Sequence, residues 1–384
     1  MKILYIFRSL AVWGGIERIL VDKMNYMAEC YDMVVYLLTS DQGSHPIPYH
    51  LSDSVHHEDL GICFYQRYHF HGLRRLMIAR KMNRQFCHLF ADRLHKIQPD
   101  LIVCTTADKI GIIAKVKGNI PLVVESHSIC TRTLNNGRNW LYRILYRHYF
   151  LNSLSKADYV VALTEGDAKE WRKYHSQVKV IPNFIHPHEE HTSDCSAKKV
   201  IFVGRFDYQK RVQDAIRIWQ KVRERHSDWT LEIYGDGEMR QEVCSLASSV
   251  GGVTIHQPTS QIFHAYQECS ILISTSLYEP FGLVILEAMS CGLPVVAFDC
   301  PYGPNDLIMN EKDGYLVEDR DFDVFANSIC KLIENLELRK AMGLSARMYS
   351  QRFTAEQIMP LWLLLFNMLL PSEYINQKQE SNNG

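Results

Sequence analysis

The 384-residue chain has no apolar run long enough to cross a bilayer; its longest, Leu361 to Leu370, is about half of the roughly 20 residues that a spanning helix requires. Its eleven cysteines (30, 63, 87, 104, 130, 195, 244, 269, 291, 300 and 330) include no Cys-x-x-Cys pair, which argues against a zinc site or disulfide framework. They fall in segments that read as strands and helices, so buried thiols of a reduced, cytoplasmic protein are expected. The opening Lys2-Ile-Leu-Tyr-Ile-Phe7 is too short for the apolar centre of a secretory leader and is closed by Arg8; it reads as a first strand. Low-complexity and fibrous patterns are missing as well, and 47% hydrophobic with 22% charged residues marks a globular chain long enough for two domains.

Net charge is small, −1, but unevenly placed. Residues 1–190 carry 24 Lys and Arg against 18 Asp and Glu, and residues 191–384 carry 18 against 25. Within residues 60–150, 15 basic residues face only Asp92, Asp100, Asp108 and Glu125. Two segments dominate: Arg67 to Lys96, with Arg74, Arg75, Arg80, Lys81 and Arg84 among apolar residues, and Arg132 to Arg147, where Trp140, Tyr142 and Tyr146 interleave with Arg138 and Arg143. Such a face suits an anionic bilayer, a nucleic acid or plain solvation. No nucleic-acid-binding motif accompanies it, so no nucleic-acid partner is expected, and peripheral association with the inner face of a membrane is.

Short apolar runs alternate with helical periodicity along the whole chain, which implies parallel sheets flanked by helices, an α/β fold. The first strand leads into Gly14-Gly15-Ile-Glu17 and a helix; a glycine pair there lets backbone approach a ligand, although many such turns carry glycine for steric reasons. His127 follows the run Pro121 to Glu125 and so belongs at the carboxyl end of a strand, where open α/β sheets bind ligands. A polar stretch, residues 186–198, reads as a linker. Its His186, His188 and His191 lack the carboxylate or cysteine spacing of a tetrahedral metal site and read as a solvated hinge. A second series of runs then begins with Lys199 to Val203, followed by Gly204, Arg205 and Lys210 before a helix. A strand, two cations and a helix start suit a diphosphate, and a basic surface turn is the plainer reading.

The densest stretch is Leu277-Tyr-Glu279-Pro-Phe281-Gly282-Leu283-Val-Ile-Leu-Glu287-Ala-Met-Ser-Cys-Gly292-Leu-Pro294. It lies between the strand-like Ile271 to Ser274 and Pro294 to Phe298, which puts Glu279 in a loop at a strand's carboxyl end. Glu287 falls about one turn inside the following helix. Backbone N–H groups at Phe281, Gly282 and Leu283 would suit a phosphate. Glu-Pro-Phe-Gly-Leu-x-x-x-Glu-Ala-Met-x-x-Gly-x-Pro-Val resembles the signature of retaining glycosyltransferases of family 4, which have the GT-B fold of two Rossmann-like domains facing a central cleft. The resemblance extends to Gly14-Gly15-x-Glu17, His127, Gly204-Arg205 with Lys210, and the Gly235-Asp236-Gly237 turn, and covers nearly the whole chain.

The resemblance implies a metal-independent transferase for a nucleotide-sugar, with no cofactor. Arg205 and Lys210 would grip the donor diphosphate, Glu279 would orient the sugar and Glu287 the ribose. Gly204, Gly235, Phe281, Gly282 and Leu283 would line the donor, Gly14 and Gly15 would approach donor phosphate and acceptor, and His127 would contact the reacting end. The expected organisation is an acceptor-binding domain 1–185, the linker, a nucleotide-sugar domain 199–352, a helix 353–370 crossing back to the first domain, and a polar tail 371–384. A UDP-sugar is the expected donor and a lipid-linked saccharide the expected acceptor. Asp306 stands where a polysaccharide-assembling branch has glutamate, which puts donor contacts inferred from that branch in doubt. A nucleotide-sugar epimerase, a phosphorylase and a catalytically silent membrane-surface scaffold are the alternatives. The four polar groups Arg205, Lys210, Glu279 and Glu287 argue against the scaffold.

Overall fold

The structure, a computed structural model, describes residues 1–136, 139–186, 190 and 192–370. Arg138, His188, His191 and the tail 371–384 lie outside the described residues. The chain forms two compact units: residues 1–163, 168–181 and 358–370 make the first, and Thr164–Asp167 with Pro182–Gln357 make the second.

The first unit is built on seven strands, β1 (Lys2–Ile6), β2 (Val34–Thr39), β3 (Val55–Asp59), β4 (Leu101–Cys104), β5 (Leu122–Glu125), β6 (Tyr159–Ala162) and β7 (Val178–Val180). They form one sheet in the order β3-β2-β1-β4-β5-β6-β7, with every neighbouring pair parallel. Central strands such as Leu101-Ile-Val-Cys104 are apolar at every position because helices cover both faces of a parallel sheet. The edge strand β3, Val-His-His-Glu-Asp, was not legible in the sequence. An edge strand needs backbone partners on one side and little apolar content, and its register on β2, from Val35↔Val55 to Thr39↔Asp59, supplies them.

The second unit holds β8 (Lys199–Val203), β9 (Thr230–Tyr234), β10 (Val253–His256), β11 (Ile271–Ser274), β12 (Val295–Phe298) and β13 (Gly314–Val317). These are again all parallel, in the order β10-β9-β8-β11-β12-β13. The helix Val212–Arg223 shows why the sequence period sets the packing: Val212, Ala215, Ile216, Ile218, Trp219 and Val222 form one buried stripe, and Lys221 and Arg223 sit in its last turn. Trp219 is fully buried among Val200, Leu231, Phe325 and their neighbours. In each sheet the chain order reverses once, between β1 and β4 in the first and between β8 and β11 in the second. The carboxyl ends of those two strands flank the crevice where open α/β sheets hold ligands.

Trp219→Ala is expected to destabilise the second unit by about 3–5 kcal/mol through the cavity it leaves. Urea unfolding followed by a probe in that unit checks this; an unchanged midpoint would mean that Trp219 does not anchor the core.

Candidate active site

In the second unit the loop after β8 carries Gly204, Arg205 and Lys210, and the loop after β11 carries Glu279. The two strands flanking the reversal point thus deliver both. Lys210 Nζ lies 2.5 Å from Glu279 Oε1, and Ser276 Oγ donates to the same oxygen at 2.6 Å. The side chains of Lys210 and Glu279 are 16% and 7% exposed, so each charge depends on the other for most of its solvation. The backbone of Glu279 is fixed from both sides: its N–H donates to Pro301 O at 2.8 Å, and its carbonyl accepts from the N–H groups of Tyr302 and Gly303, both at 2.9 Å.

The two loops are tied into one body. Leu277 N–H donates to Gln209 O at 2.8 Å, Gln209 Nε2 donates to Tyr278 O at 3.1 Å, and Thr275 Oγ1 donates to the carbonyls of Lys210 and Arg211 at 3.1 and 2.9 Å. Beneath them the fully buried carboxylate of Asp214 accepts from Arg211 Nε at 2.9 Å, Arg217 Nη1 at 3.1 Å and Arg320 Nη1 at 2.8 Å. Sequence reasoning missed Ser276 and this Asp214 centre. An acid in the first turn of a helix was visible, but it reads as an ordinary dipole partner until Arg320, 106 residues away, is brought to it.

Arg205 is placed differently from Lys210: 71% of its side chain is exposed, and Nη2 lies 3.1 Å from Asp207 Oδ2 and 3.4 Å from Gln209 Oε1. Glu287, the fifth residue of the helix Leu283–Ser290, is buried, and its Oε2 accepts from the buried Tyr266 hydroxyl at 3.1 Å. Phe281 and Gly282 are buried at the start of that helix and Leu283 is half-buried; Gly282 caps it with φ +98°, a conformation that side chains rarely adopt. Gly235 has a role within the protein itself: a Cβ there would stand 2.0 Å from Gly204 O, so the absent side chain lets the loop after β9 lie against the loop after β8. Asp306 accepts from Glu165 N–H at 2.6 Å and so ties the start of the helix Glu165–Trp171. Burial, with the nearby Glu279 adding, pushes the Cys300 thiol up to about 12, which leaves it protonated and no nucleophile at neutral pH.

Gly14, Gly15 and His127 belong to the first unit. Gly14 is the extended residue before the helix Gly15–Cys30, and its carbonyl accepts from Tyr49 Oη at 3.1 Å. The His127 ring is 6% exposed, with Nε2 3.3 Å from Glu125 Oε1. Glu125 is fully buried and bonded to the buried Lys23, which lies 4.2 Å from the Trp362 ring centre. Burial alone would raise the Glu125 pKa, but the Lys23 ammonium and His127 outweigh it and hold the carboxyl down at about 2. The same unit carries the basic face. Its helices Gly72–Ile97 and Trp140–Leu154 expose Leu73, Leu76, Met77, Trp140, Leu141, Ile144 and Leu145 beside Arg74, Arg80 and Arg143.

Two parallel-sheet α/β units, one with a buried lysine–glutamate pair at its reversal point, make up the GT-B glycosyltransferase architecture. The chain overlays a crystal structure of Staphylococcus aureus TarM with a TM-score of 0.77 over 95% of this chain and 99% of that one, at 17% identity. That structure holds UDP, fondaparinux and α-GlcNAc-glycerol. Two family models match in succession, Glycosyltransferase Family 4 over residues 13–189 and Glycosyl transferases group 1 over residues 186–348. Both are glycosyltransferase models, and together they span residues 13–348. It is 25% identical over 379 residues to the amylovoran biosynthesis glycosyltransferase AmsD of Erwinia amylovora, covering 95% of this chain and 99% of AmsD. It is 23% identical over 372 residues to the Campylobacter jejuni α-1,4-N-acetyl-D-galactosaminyltransferase that acts on GalNAc-α-(1→4)-GalNAc-α-(1→3)-diNAcBac-PP-undecaprenol, covering 95% of this chain and 98% of that protein. Other curated relatives are longer, and the chain spans only 46% and 24% of two of them.

Glu125 titrates below its unfolded value, so its contribution to stability is complete above about pH 4.5 and is lost as pH falls toward about 2. Glu125→Gln is expected to cost about 3–5 kcal/mol at pH 7 by leaving Lys23 buried without its carboxylate, and to flatten the acid limb of the melting temperature against pH. A variant with the wild-type acid limb would show that another group governs it.

Proposed function

We propose that the protein transfers a hexosyl or N-acetylhexosaminyl group, with retention of anomeric configuration and without a metal, from a UDP-sugar to a lipid-linked saccharide in cell-surface polysaccharide assembly. The observation that carries this reading is the Lys210–Glu279–Ser276 cluster at the reversal point of the second sheet. AmsD and the Campylobacter enzyme, matched over nearly their whole length, support the polysaccharide or glycan context and the lipid-linked acceptor. The UDP in TarM supports the choice of base.

In this reading the donor diphosphate takes Lys210 from Glu279. Phosphate oxygens replace the carboxylate on the ammonium, and Glu279, still held by Ser276 and its backbone bonds, turns to accept sugar hydroxyls. Arg205 reaches the diphosphate from its exposed position, and the N–H groups at Gly282 and Leu283 supply further donors. When the glycosidic bond breaks, charge develops on the leaving diphosphate where these groups already stand, which lowers the barrier more than it tightens the ground state. The acceptor hydroxyl attacks from the face the leaving group departs: its oxygen forms the new glycosidic bond as the sugar–diphosphate bond breaks, and its proton passes to the departing diphosphate. Glu287 contacts the ribose, and His127 contacts the reacting end. The basic face of the first unit rests on an anionic leaflet, each cation contributing about 1 kcal/mol near the surface.

The melting temperature of the protein against UDP, GDP, ADP, CMP and their common sugars tests the donor. A ligand at 100 times its Kd adds about 2.7 kcal/mol, a shift of several degrees. A shift confined to the uridine ligands is expected, and none with any nucleotide would overturn the proposal. Lys210→Ala is expected to lower kcat by about 10²–10³-fold, and Glu279→Ala to abolish most transfer while retaining UDP binding. An unchanged rate in Glu279→Ala would remove that residue from the reaction.

A further inference from the structure

The core of the first unit contains an ion pair that its packing does not require. The helix Gly15–Cys30 buries Ile19, Leu20, Val21, Met24 and Met27, and Lys23 on the same helix is buried as deeply. Its ammonium bonds Glu125 Oε1 at the end of β5 and lies 4.2 Å from the Trp362 ring centre and 6.0 Å from that of Tyr5. An apolar pair of similar volume would fill the same space without stripping water from two charges. The carboxylate has a second neighbour. His127 Nε2 stands 3.3 Å from the same oxygen, on an imidazole that is 6% exposed. Neither ring nitrogen completes a hydrogen bond among the described residues. Nε2 has a carboxylate within reach, and bonds of this kind are often long in an unliganded site and tighten on binding. Nδ1 is buried with no partner at all.

Burial opposes ionisation of Glu125, but Lys23 and His127 hold its carboxyl down at about 2, so at neutral pH it only accepts hydrogen bonds. A neutral imidazole carries one proton, and beside a fixed acceptor that proton belongs on the facing nitrogen. We infer that Lys23 and Glu125 are positioning residues, which set the neutral His127 imidazole with its proton on Nε2 and so leave Nδ1 to accept a hydrogen bond from a sugar hydroxyl. This deepens the transferase reading and rests on it for the identity of the hydroxyl. The histidine orients that group and takes no proton from it. Lys23 acts at one remove: without its ammonium the buried carboxyl would take up a proton, become a donor and reverse the tautomer. The π face of Trp362 attracts the ammonium and helps to keep it in place.

The test reads the two ring nitrogens of His127 by nitrogen NMR of the full chain labelled in histidine, with the signals assigned by their loss in His127→Asn. Wild type is expected to show a protonated Nε2 and an unprotonated Nδ1. Lys23→Met combined with Glu125→Leu leaves no bare charge, so it is expected to melt at or above the wild-type temperature while the two tautomers mix. An imidazole protonated on both nitrogens in wild type, or an unchanged pattern in the double variant, overturns the inference. Should that variant melt early, Lys23→Met combined with Glu125→Gln, which keeps the shape and removes the ionised acceptor, decides by the same readout. UDP, UDP-N-acetylglucosamine, and UDP with N,N′-diacetylchitobiose are then added to wild type. A shift of the Nδ1 signal with the UDP-sugar beyond that with UDP assigns the hydroxyl to the donor, and one seen only with the chitobiose assigns it to the acceptor. No shift beyond that with UDP overturns the hydroxyl contact. Failure of UDP to bind counts against the nucleotide-sugar reading only, because the tautomer is read before any ligand is added.

Discussion

The pairing of Lys210 with Glu279 is the constraint to which the second unit is built. Each charge is largely removed from water, and neither is tolerable there without the other. Holding them at contact requires that two loops from neighbouring strands keep fixed positions. The Gln209 and Thr275 bonds, the backbone clasp of Glu279 on residues 301–303 and the three arginines on Asp214 all serve that end. In the proposed reading a donor diphosphate would exchange this internal ion pair for an external one, with Ser276 still bonded to the Glu279 carboxylate.

The same physical pattern recurs in the first unit with a different balance. There Lys23 and Glu125 form a buried pair beside His127 at the end of β5. Lys109, likewise buried, meets the exposed Asp108 beyond β4.

Much of the second unit was legible because its chemistry is local. Glu279 and Glu287 are eight residues apart on one loop and helix, and Arg205 and Lys210 five apart on another, so strand-then-helix alternation was enough to put each at a strand's carboxyl end. Gly235 was expected to line the donor; in the structure a Cβ there would stand 2.0 Å from Gly204 O. Ser276, Asp214, Arg320 and Tyr266 were not legible, since each acts through a partner that only folding supplies. The edge strand β3 was hidden for another reason: backbone pairing holds it, and His56, His57, Glu58 and Asp59 give no apolar alternation to read.

The sequence by itself determined two parallel α/β units, the strand ends at which the polar residues stand, and the kinship of the chain, because continuous apolar runs bury both faces of a sheet and the spacing of Glu279 and Glu287 is a property of one segment. The tertiary structure alone decided which of those residues meet. It joined Lys210 to Glu279 across 69 residues and Arg320 to Asp214 across 106, and it left Arg205 exposed. The reason is that ion pairing depends on distance in space and on the loss of water, and neither is fixed until the strands have taken their order in the sheet.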